Sequence, residues 1–288
     1  MGTYAVTGSA SGMGAAVVAK LGDLGHRVIG VDLRHAGIEA DVVADLSTVR
    51  GRRAAAGAVL DACAGRLDGA VLAAGVGPTP GSERSITEVN YFGVVDLLTA
   101  WHPALAAADR AKVVVFSSNS TTTVPAVPGR AVRALLAGDA EKALRTYRFF
   151  GRMGPPIAYS ASKIAVSRWV RRQATQAEWA GRGIRLNALA PGAIMTPMLE
   201  RQLATPSQAR NVRRFPVPVG GFGNPGALAE WVVFMLSDSA DFLCGSIVFV
   251  DGGSDAYFRP DDWPRAVPAR RLVSYLRRNQ QFTRRSRS

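Results

Sequence analysis

Thr7-Gly8-Ser9-Ala10-Ser11-Gly12-Met13-Gly14 follows an apolar run, Thr3–Thr7, and opens an amphipathic stretch, Gly12–Leu24. This order, a strand, then a glycine-rich turn, then a helix, decides the fold. Gly8 permits a tight turn. Gly12 and Gly14 remove side chains where backbone amides at a helix N-terminus must approach a pyrophosphate. Glycine-rich loops are common, and it is the flanking strand and helix that give this one its meaning. Ser11 and Met13 share the loop and belong to the same candidate dinucleotide site.

Outward from this loop the chain alternates. Strands are predicted at Thr3–Thr7, Arg27–Asp32, Val42–Ala44, Asp68–Ala73, Lys112–Ser117, Arg185–Ala190 and Ile247–Val250. Helical patterns lie between them, at Gly12–Leu24, Thr48–Ala64, Ser85–Ala108, Tyr159–Ala180 and Gly226–Leu236. Strands separated by helices imply βαβ units and right-handed crossovers. The expected fold is α/β: a single-domain Rossmann arrangement, a doubly wound parallel sheet of about seven strands with helices on both faces. Residues 1–258 form the expected nucleotide-binding domain, and 259–288 a basic C-terminal extension. One segment breaks the rhythm. Residues 119–158 are too long for an ordinary loop; helices are expected at Arg130–Ala137 and, capped by Asp139, at Ala140–Phe150.

Composition narrows the class. The chain has 288 residues, 48% of them hydrophobic, and a net charge of +13. Its apolar runs are far shorter than the ~20 residues of a membrane helix, and its first residues lack a signal-peptide pattern. No membrane span and a cytoplasmic location are expected. The two cysteines, Cys63 and Cys244, are far apart, and the three histidines are scattered, so neither a disulfide framework nor a metal site is indicated. From Arg259 onward nine arginines face two aspartates, more than half of the net charge. Leu272, Val273, Tyr275, Leu276 and Phe282 recur there at roughly helical spacing, which suits either a short basic amphipathic helix or a solvated end. No helix-turn-helix or aromatic-interleaved basic surface is visible, and no nucleic acid partner is expected.

Further residues carry chemistry. Asp32 ends the second strand, 24 residues after Gly8. A carboxylate there accepts hydrogen bonds from adenosine ribose hydroxyls and repels a 2′-phosphate; Leu33 beside it brings no compensating cation, so NAD is expected over NADP. Asp45 and Leu46, after the third strand, are placed to line an adenine pocket, and Asp45 can also serve the start of the next helix. Tyr159-Ser160-Ala161-Ser162-Lys163 puts Tyr159 and Lys163 on one helix face. A free tyrosine titrates near ~10, too high for neutral acid–base work, and a neighbouring ammonium is expected to lower it.

In their joint order these motifs resemble the short-chain dehydrogenase/reductase family, from Met1 to Gly253. The resemblance includes Val89-Asn90-Tyr91-Phe92-Gly93, Ser117-Ser118, Pro191-Gly192-Ala193-Ile194-Met195-Thr196 and Asp251-Gly252-Gly253. Several segments, including Gly30-Val31-Asp32-Leu33-Arg34 and Ala44-Asp45-Leu46-Ser47-Thr48, resemble its hydroxysteroid dehydrogenase/carbonyl reductase branch. The resemblance implies Tyr159 as proton donor or acceptor, Ser118 rather than Ser117 holding the substrate oxygen, Lys163 tuning Tyr159 and binding ribose, and Asn90 anchoring a water of the proton relay. It implies cofactor contacts from Ala74 and Gly75, from Pro191, Gly192 and Ile194 around the nicotinamide, and from Thr196 to its carboxamide. One departure is Leu72-Ala73-Ala74-Gly75, where the family usually has two asparagines; local rigidity is in question there.

The expected activity is NAD(H)-dependent interconversion of a secondary alcohol and a ketone on a hydrophobic, cyclic, 3-hydroxysteroid-like substrate. The same chemistry on a terpene or cyclohexanol-type alcohol or an acyl-chain ketone is an alternative. So is a non-catalytic NAD-sensing protein, against which the retained Tyr159, Lys163, Ser118 and Asn90 speak. Residues 119–158 return to the sheet beside the catalytic tyrosine. Phe149, Phe150, Met153, Met195, Met198 and Leu199 are therefore expected either to wall the substrate pocket or simply to pack the insert. A dimer through Gly226–Leu236 and Ile247–Val250 is expected rather than the tetramer common in the family.

Overall fold

The structure, a computed structural model, describes residues 1–38, 41–262, 267–275 and 277–278. Seven strands, β1 (Thr3–Thr7), β2 (Arg27–Asp32), β3 (Val42–Val43), β4 (Gly69–Leu72), β5 (Lys112–Phe116), β6 (Arg185–Pro191) and β7 (Ile247–Val250), form one parallel sheet in the order β3-β2-β1-β4-β5-β6-β7. In register, Thr7 lies opposite Val31 on one side and Leu72 on the other. The order reverses between β1 and β4, which opens a crevice at the carboxyl ends of the strands.

The helices are α1 (Gly12–Asp23), α2 (Val49–Ala62), α3 (Glu83–Thr87), α4 (Gly93–Ala106), α5 (Ser120–Thr123), α6 (Gly129–Leu136), α7 (Ala140–Arg148), α8 (Gly154–Gln173), α9 (Pro197–Ala204), α10 (Pro206–Arg214), α11 (Pro225–Leu236) and α12 (Ser254–Phe258). Side chains alternate across a strand with period two. Ala5, Ala70, Val113 and Ala188 accordingly pack towards α2, α4 and α8. Val6, Val71, Val114 and Leu189 pack towards α1 and α11. Burial on both faces explains why these strands read as unbroken apolar runs. Helix starts follow local chemistry. The hydroxyl of Thr48 accepts from the Gly51 N–H (2.9 Å), and the Asp139 carboxylate, as expected, accepts from Lys142 N–H (2.8 Å).

Two long helices differ from their sequence reading. The predicted Ser85–Ala108 helix is α3 and α4 joined by a π-turn at Glu88–Phe92. The predicted Tyr159–Ala180 helix begins earlier and stops sooner, as α8. Pro155 and Pro156 occupy its first turn, where a missing N–H costs nothing.

The insert is also repositioned. Helices α6 and α7 pack against each other and α8, and α7 also meets α3. Val132, Leu135, Leu144 and Tyr147 form their buried stripe, each worth roughly 1.5–3 kcal/mol if fully buried. Phe149 and Met153, past the end of that stripe, are 77% and 56% exposed, and the Arg130 guanidinium lies 5.0 Å from the Phe149 ring centre. Of the C-terminal extension, Leu272, Val273 and Tyr275 are exposed; Leu276 and Phe282 lie outside the described residues. Among the described residues no helix is long and apolar enough to cross a membrane.

Candidate active site

The residues assigned to the cofactor and the chemistry, Asn90 apart, lie at or after the carboxyl ends of strands or in α1 and α8. Gly8, Ser11, Gly12, Met13 and Gly14 join β1 to α1; Asp32 and Leu33 end β2; Asp45 and Leu46 follow β3; Ala74 and Gly75 follow β4. Ser118 follows β5, Tyr159 and Lys163 lie in α8, and Pro191, Gly192, Ile194 and Thr196 close β6 and lead to α9. Asn90 sits in the π-turn.

The glycines fit a dinucleotide. Gly8 and Gly12 have φ of +71° and +56°, in the region that favours glycine. A Cβ on Gly8 would lie 2.8 Å from the Ala74 nitrogen, and one on Gly14 would strike the Gly8 carbonyl oxygen. The first turn of α1 can therefore present its amides to a phosphate without obstruction. Asp32 faces this loop: its two oxygens accept from Ala10 N–H (3.0 Å) and Leu33 N–H (2.7 Å). Leu33 is exposed, whereas the Leu46 side chain is buried in the core. Asp45 accepts from the Ser47 N–H (2.9 Å), and its hydrogen bonds to Ser47 hold its carboxyl below the usual range.

A cavity of about 510 Å³ opens beside the loop. Met13, Gly75, Ser118, Tyr159, Lys163, Pro191, Gly192, Ile194 and Thr196 all line it. Ala74 and Asn90 stand behind its wall. The Thr7 hydroxyl accepts from Ala74 N–H (3.1 Å), and the Asn90 amide accepts from Val76 N–H (2.7 Å) and donates to its carbonyl (3.0 Å). These bonds hold the segment that lacks the family's asparagine at Ala73. The Asn90 side chain thus clasps Val76 by both its main-chain groups.

Ser117 and Ser118 separate cleanly. The Ser117 hydroxyl pairs with Ser167 (2.6 Å), which also donates to the Lys163 carbonyl (2.8 Å). The Ser118 hydroxyl shares the cavity with Tyr159 and accepts from Ser120 N–H (3.1 Å). Lys163 donates to the Phe116 carbonyl (2.7 Å), and its ammonium lies 5.8 Å from the Tyr159 ring centre. Burial pushes the Tyr159 hydroxyl above its ordinary pKa, with Ser118 opposing. Burial also pushes Lys163 down to about 8. Burial is thus the larger influence on Tyr159, and Ser118 is the group that favours the phenolate.

The substrate side of the cavity was only half legible. Met198 and Leu199 line it as expected, but Phe149, Phe150, Met153 and Met195 do not. The insert contributes its first residues instead, Asn119, Ser120, Thr123 and Val124, together with Pro156. Ser160, Gln202, Asn211, Val212 and Phe215, none of them singled out in the sequence, complete the wall. Among the described residues, Lys163 is the only charged side chain lining it.

Known proteins bear on this geometry. A family profile described as Enoyl-(Acyl carrier protein) reductase matches residues 148–255. The chain is 36% identical over 260 residues to 3-alpha-hydroxysteroid dehydrogenase/carbonyl reductase from Comamonas testosteroni, spanning 90% of this chain and 99% of that protein. It is 31% identical to D-threitol dehydrogenase from Mycolicibacterium smegmatis, over 86% of this chain and 90% of that one. The crystal structure of the 3-alpha-hydroxysteroid dehydrogenase from Pseudomonas sp. B-0831 complexed with NADH superposes with a TM-score of 0.83 at 42% identity, covering 91% of this chain and all of that one. With that identity carried along nearly its whole length, and with Ser118, Tyr159 and Lys163 gathered in one cavity beside a glycine loop, the chain belongs to the short-chain dehydrogenase/reductase family of oxidoreductases.

Proposed function

We propose that this chain reduces a hydrophobic, uncharged cyclic ketone of 3-oxosteroid type with NADH, and oxidises the corresponding alcohol with NAD. The observation that carries the reading is the cavity: apolar over most of its wall, with one charged side chain among the described residues, and with Ser118 and Tyr159 both lining it. Such a lining disfavours carboxylate or phosphate substrates, whose charge would stay unpaired, and it offers few partners to a polyol. The similarity to hydroxysteroid dehydrogenases points the same way.

The nicotinamide cofactor supplies or removes the hydride. The first turn of α1, with Gly8, Ser11, Gly12, Met13 and Gly14, holds its pyrophosphate; Asp32 and Leu33 take the adenosine ribose, and Asp45 and Leu46 border the adenine. Ala74, Gly75, Pro191, Gly192, Ile194 and Thr196 frame the nicotinamide end. Thr196 also caps α9, its hydroxyl accepting from Leu199 N–H at 3.4 Å.

In reduction, Tyr159 donates its phenolic proton to the ketone oxygen while the Ser118 hydroxyl donates a hydrogen bond to it. The raised pKa of Tyr159 keeps that proton in place at neutral pH. Lys163 holds the nicotinamide ribose, and the Asn90 main chain anchors a water through which Tyr159 regains its proton. In oxidation the same groups run in reverse, with the phenolate as base. A positioned acid of this kind contributes typically ~10²–10⁴-fold.

Two further expectations belong here. Exposed Trp231 and Phe234 on α11 and Phe242, beside the edge strand β7, suit a dimer through that side. The insert helices cover part of α8, a face used for tetramers in the family. The free cysteines Cys63 and Cys244 suit a reducing cytoplasm.

The test is NADH consumption with a 3-oxosteroid, a cyclic terpene ketone and a linear polyol-derived ketose, each repeated with NADPH. The expected order is 3-oxosteroid first and ketose last, with NADH preferred until Asp32→Ala removes the preference. Faster turnover of the ketose would overturn the substrate assignment, and wild-type preference for NADPH the cofactor assignment.

A further inference from the structure

Arg52, in α2, appears in none of the motifs that define the site. Its side chain is 4% exposed, and arginine is almost never that buried without committed partners. Its Nη1 donates to Glu88 Oε2 (2.9 Å) and to the Leu46 carbonyl (3.1 Å), and its Nε donates to Asp96 Oδ2 (2.7 Å). The guanidinium carbon also lies 5.9 Å from the Phe92 ring centre. One planar fork thus joins the loop after β3, the π-turn and α4, geometry that a lysine cannot reproduce.

Two of these partners lead to the cofactor cavity from opposite directions. Leu46 directly follows Asp45, in the segment assigned above to the adenine. Glu88 is the first residue of the π-turn, and two positions on Asn90 clamps Val76 by both its N–H and its carbonyl. Val76 follows Gly75, which lines the cavity; a Cβ on Gly75 would lie 3.9 Å from Lys163 Nζ. π-Turns inside helices recur at functional sites, and here the turn is tied through a single buried cation to the loop at the other end of the cofactor.

We infer that Arg52 is a positioning residue that holds the adenine-side loop and the Asn90 turn in register, so that its loss weakens cofactor binding and slows the chemical step as two separable effects. The inference rests on the reading that NADH binds in this crevice. It does not depend on which ketone is the substrate.

The experiment uses the full chain with Arg52→Met, Arg52→Lys and Glu88→Gln, and with Arg84→Gln as control, since Arg84 forms an exposed pair with Glu141. NADH affinity is read by fluorescence titration, and kcat at saturating NADH with the best ketone of the panel. Arg52→Met is expected to raise the NADH Kd about tenfold and also to lower kcat about tenfold, with Arg52→Lys between it and wild type. Glu88→Gln, which disturbs only the π-turn arm, should lower kcat while leaving Kd within about twofold. A merely structural role would lower the active fraction, and hence apparent kcat, without moving Kd. Wild-type Kd in Arg52→Lys and in Arg52→Met overturns the inference, as does a Glu88→Gln variant with unchanged kcat. Should Arg52→Met fail to fold, Arg52→Lys and Glu88→Gln decide alone. A wild-type chain that binds no NADH instead overturns the reading of the crevice, and this inference with it.

Discussion

The two walls of the cavity are built differently. On the sheet side, Ser118, Lys163 and Asn90 are buried, and main-chain groups of Ser120, Phe116 and Val76 hold their polar atoms. Ser117 and Ser167 brace them from behind. On the other side, α9 and α10 leave β6 and cover the cavity with little anchorage of their own. Leu199 is the only fully buried residue of α9, and α10 is exposed or half-buried throughout among its described side chains. The first wall fixes atoms to within a hydrogen bond; the second offers apolar surface on a lightly held cover. Chemistry needs the former, because proton transfer tolerates little misplacement. Substrate choice can reside in the latter, because segments with few buried contacts open at low free energy.

The sharpest way to break this comparison is at its rigid end. Tyr159→Phe should lower kcat/KM for ketone reduction by ~10²–10⁴-fold while NADH affinity, read by fluorescence titration, stays within about twofold; retained turnover would remove Tyr159 from the acid's role. Next comes the serine pair. Ser118→Ala should cost about 10²-fold in kcat, in line with losing one donor at a reacting oxygen, whereas Ser117→Ala should cost only a few-fold. The reverse ranking would mean that the wrong hydroxyl has been assigned.

A pH profile sharpens the electrostatic side of the same wall. Lys163, pushed down to about 8 by burial, is charged below that pH and neutral above it. Tyr159, pushed up, keeps its proton through neutral pH. Ketone reduction should therefore be flat up to about pH 7 and fall several-fold as pH rises through 8, and Lys163→Arg should flatten that limb if it folds. A falling limb that begins only above pH 10 would contradict the assignment.

The smallest effects belong to the cover and the insert. Phe215→Ala should raise KM for a bulky ketone about five- to tenfold with little change in kcat, since it removes apolar contact shared by ground and transition states. Phe149→Ser, outside the cavity, should leave kcat/KM within about twofold. A large effect of Phe149→Ser would restore the insert as a pocket wall.

Much of this was legible in the sequence because its physical cause is local. The strand–glycine turn–helix order, the alternation of apolar runs, Asp139 as a cap and the Tyr159/Lys163 spacing all depend on neighbours a few residues away. The parallel sheet and the grouping of site residues at the ends of its strands followed from them. What failed depended on distant partners. The sequence left open whether Phe149 and Phe150 wall the pocket or pack the insert; the stripe formed by Val132, Leu135, Leu144 and Tyr147 docks the helices away from the cavity. The effect of burial on Tyr159, and of Ser118 41 positions away opposing it, could not be read from helix neighbours. Arg52 carried no signal, since its three acceptors come from three segments up to 44 residues away from it. The sequence by itself determined which groups exist to do the chemistry and the order in which the fold presents them, because periodicity and turn chemistry act over a few residues. Only the tertiary structure decided which of those groups are buried, which partners the two serine hydroxyls find and what closes over the cavity, because desolvation and packing depend on residues that meet only when the chain is folded.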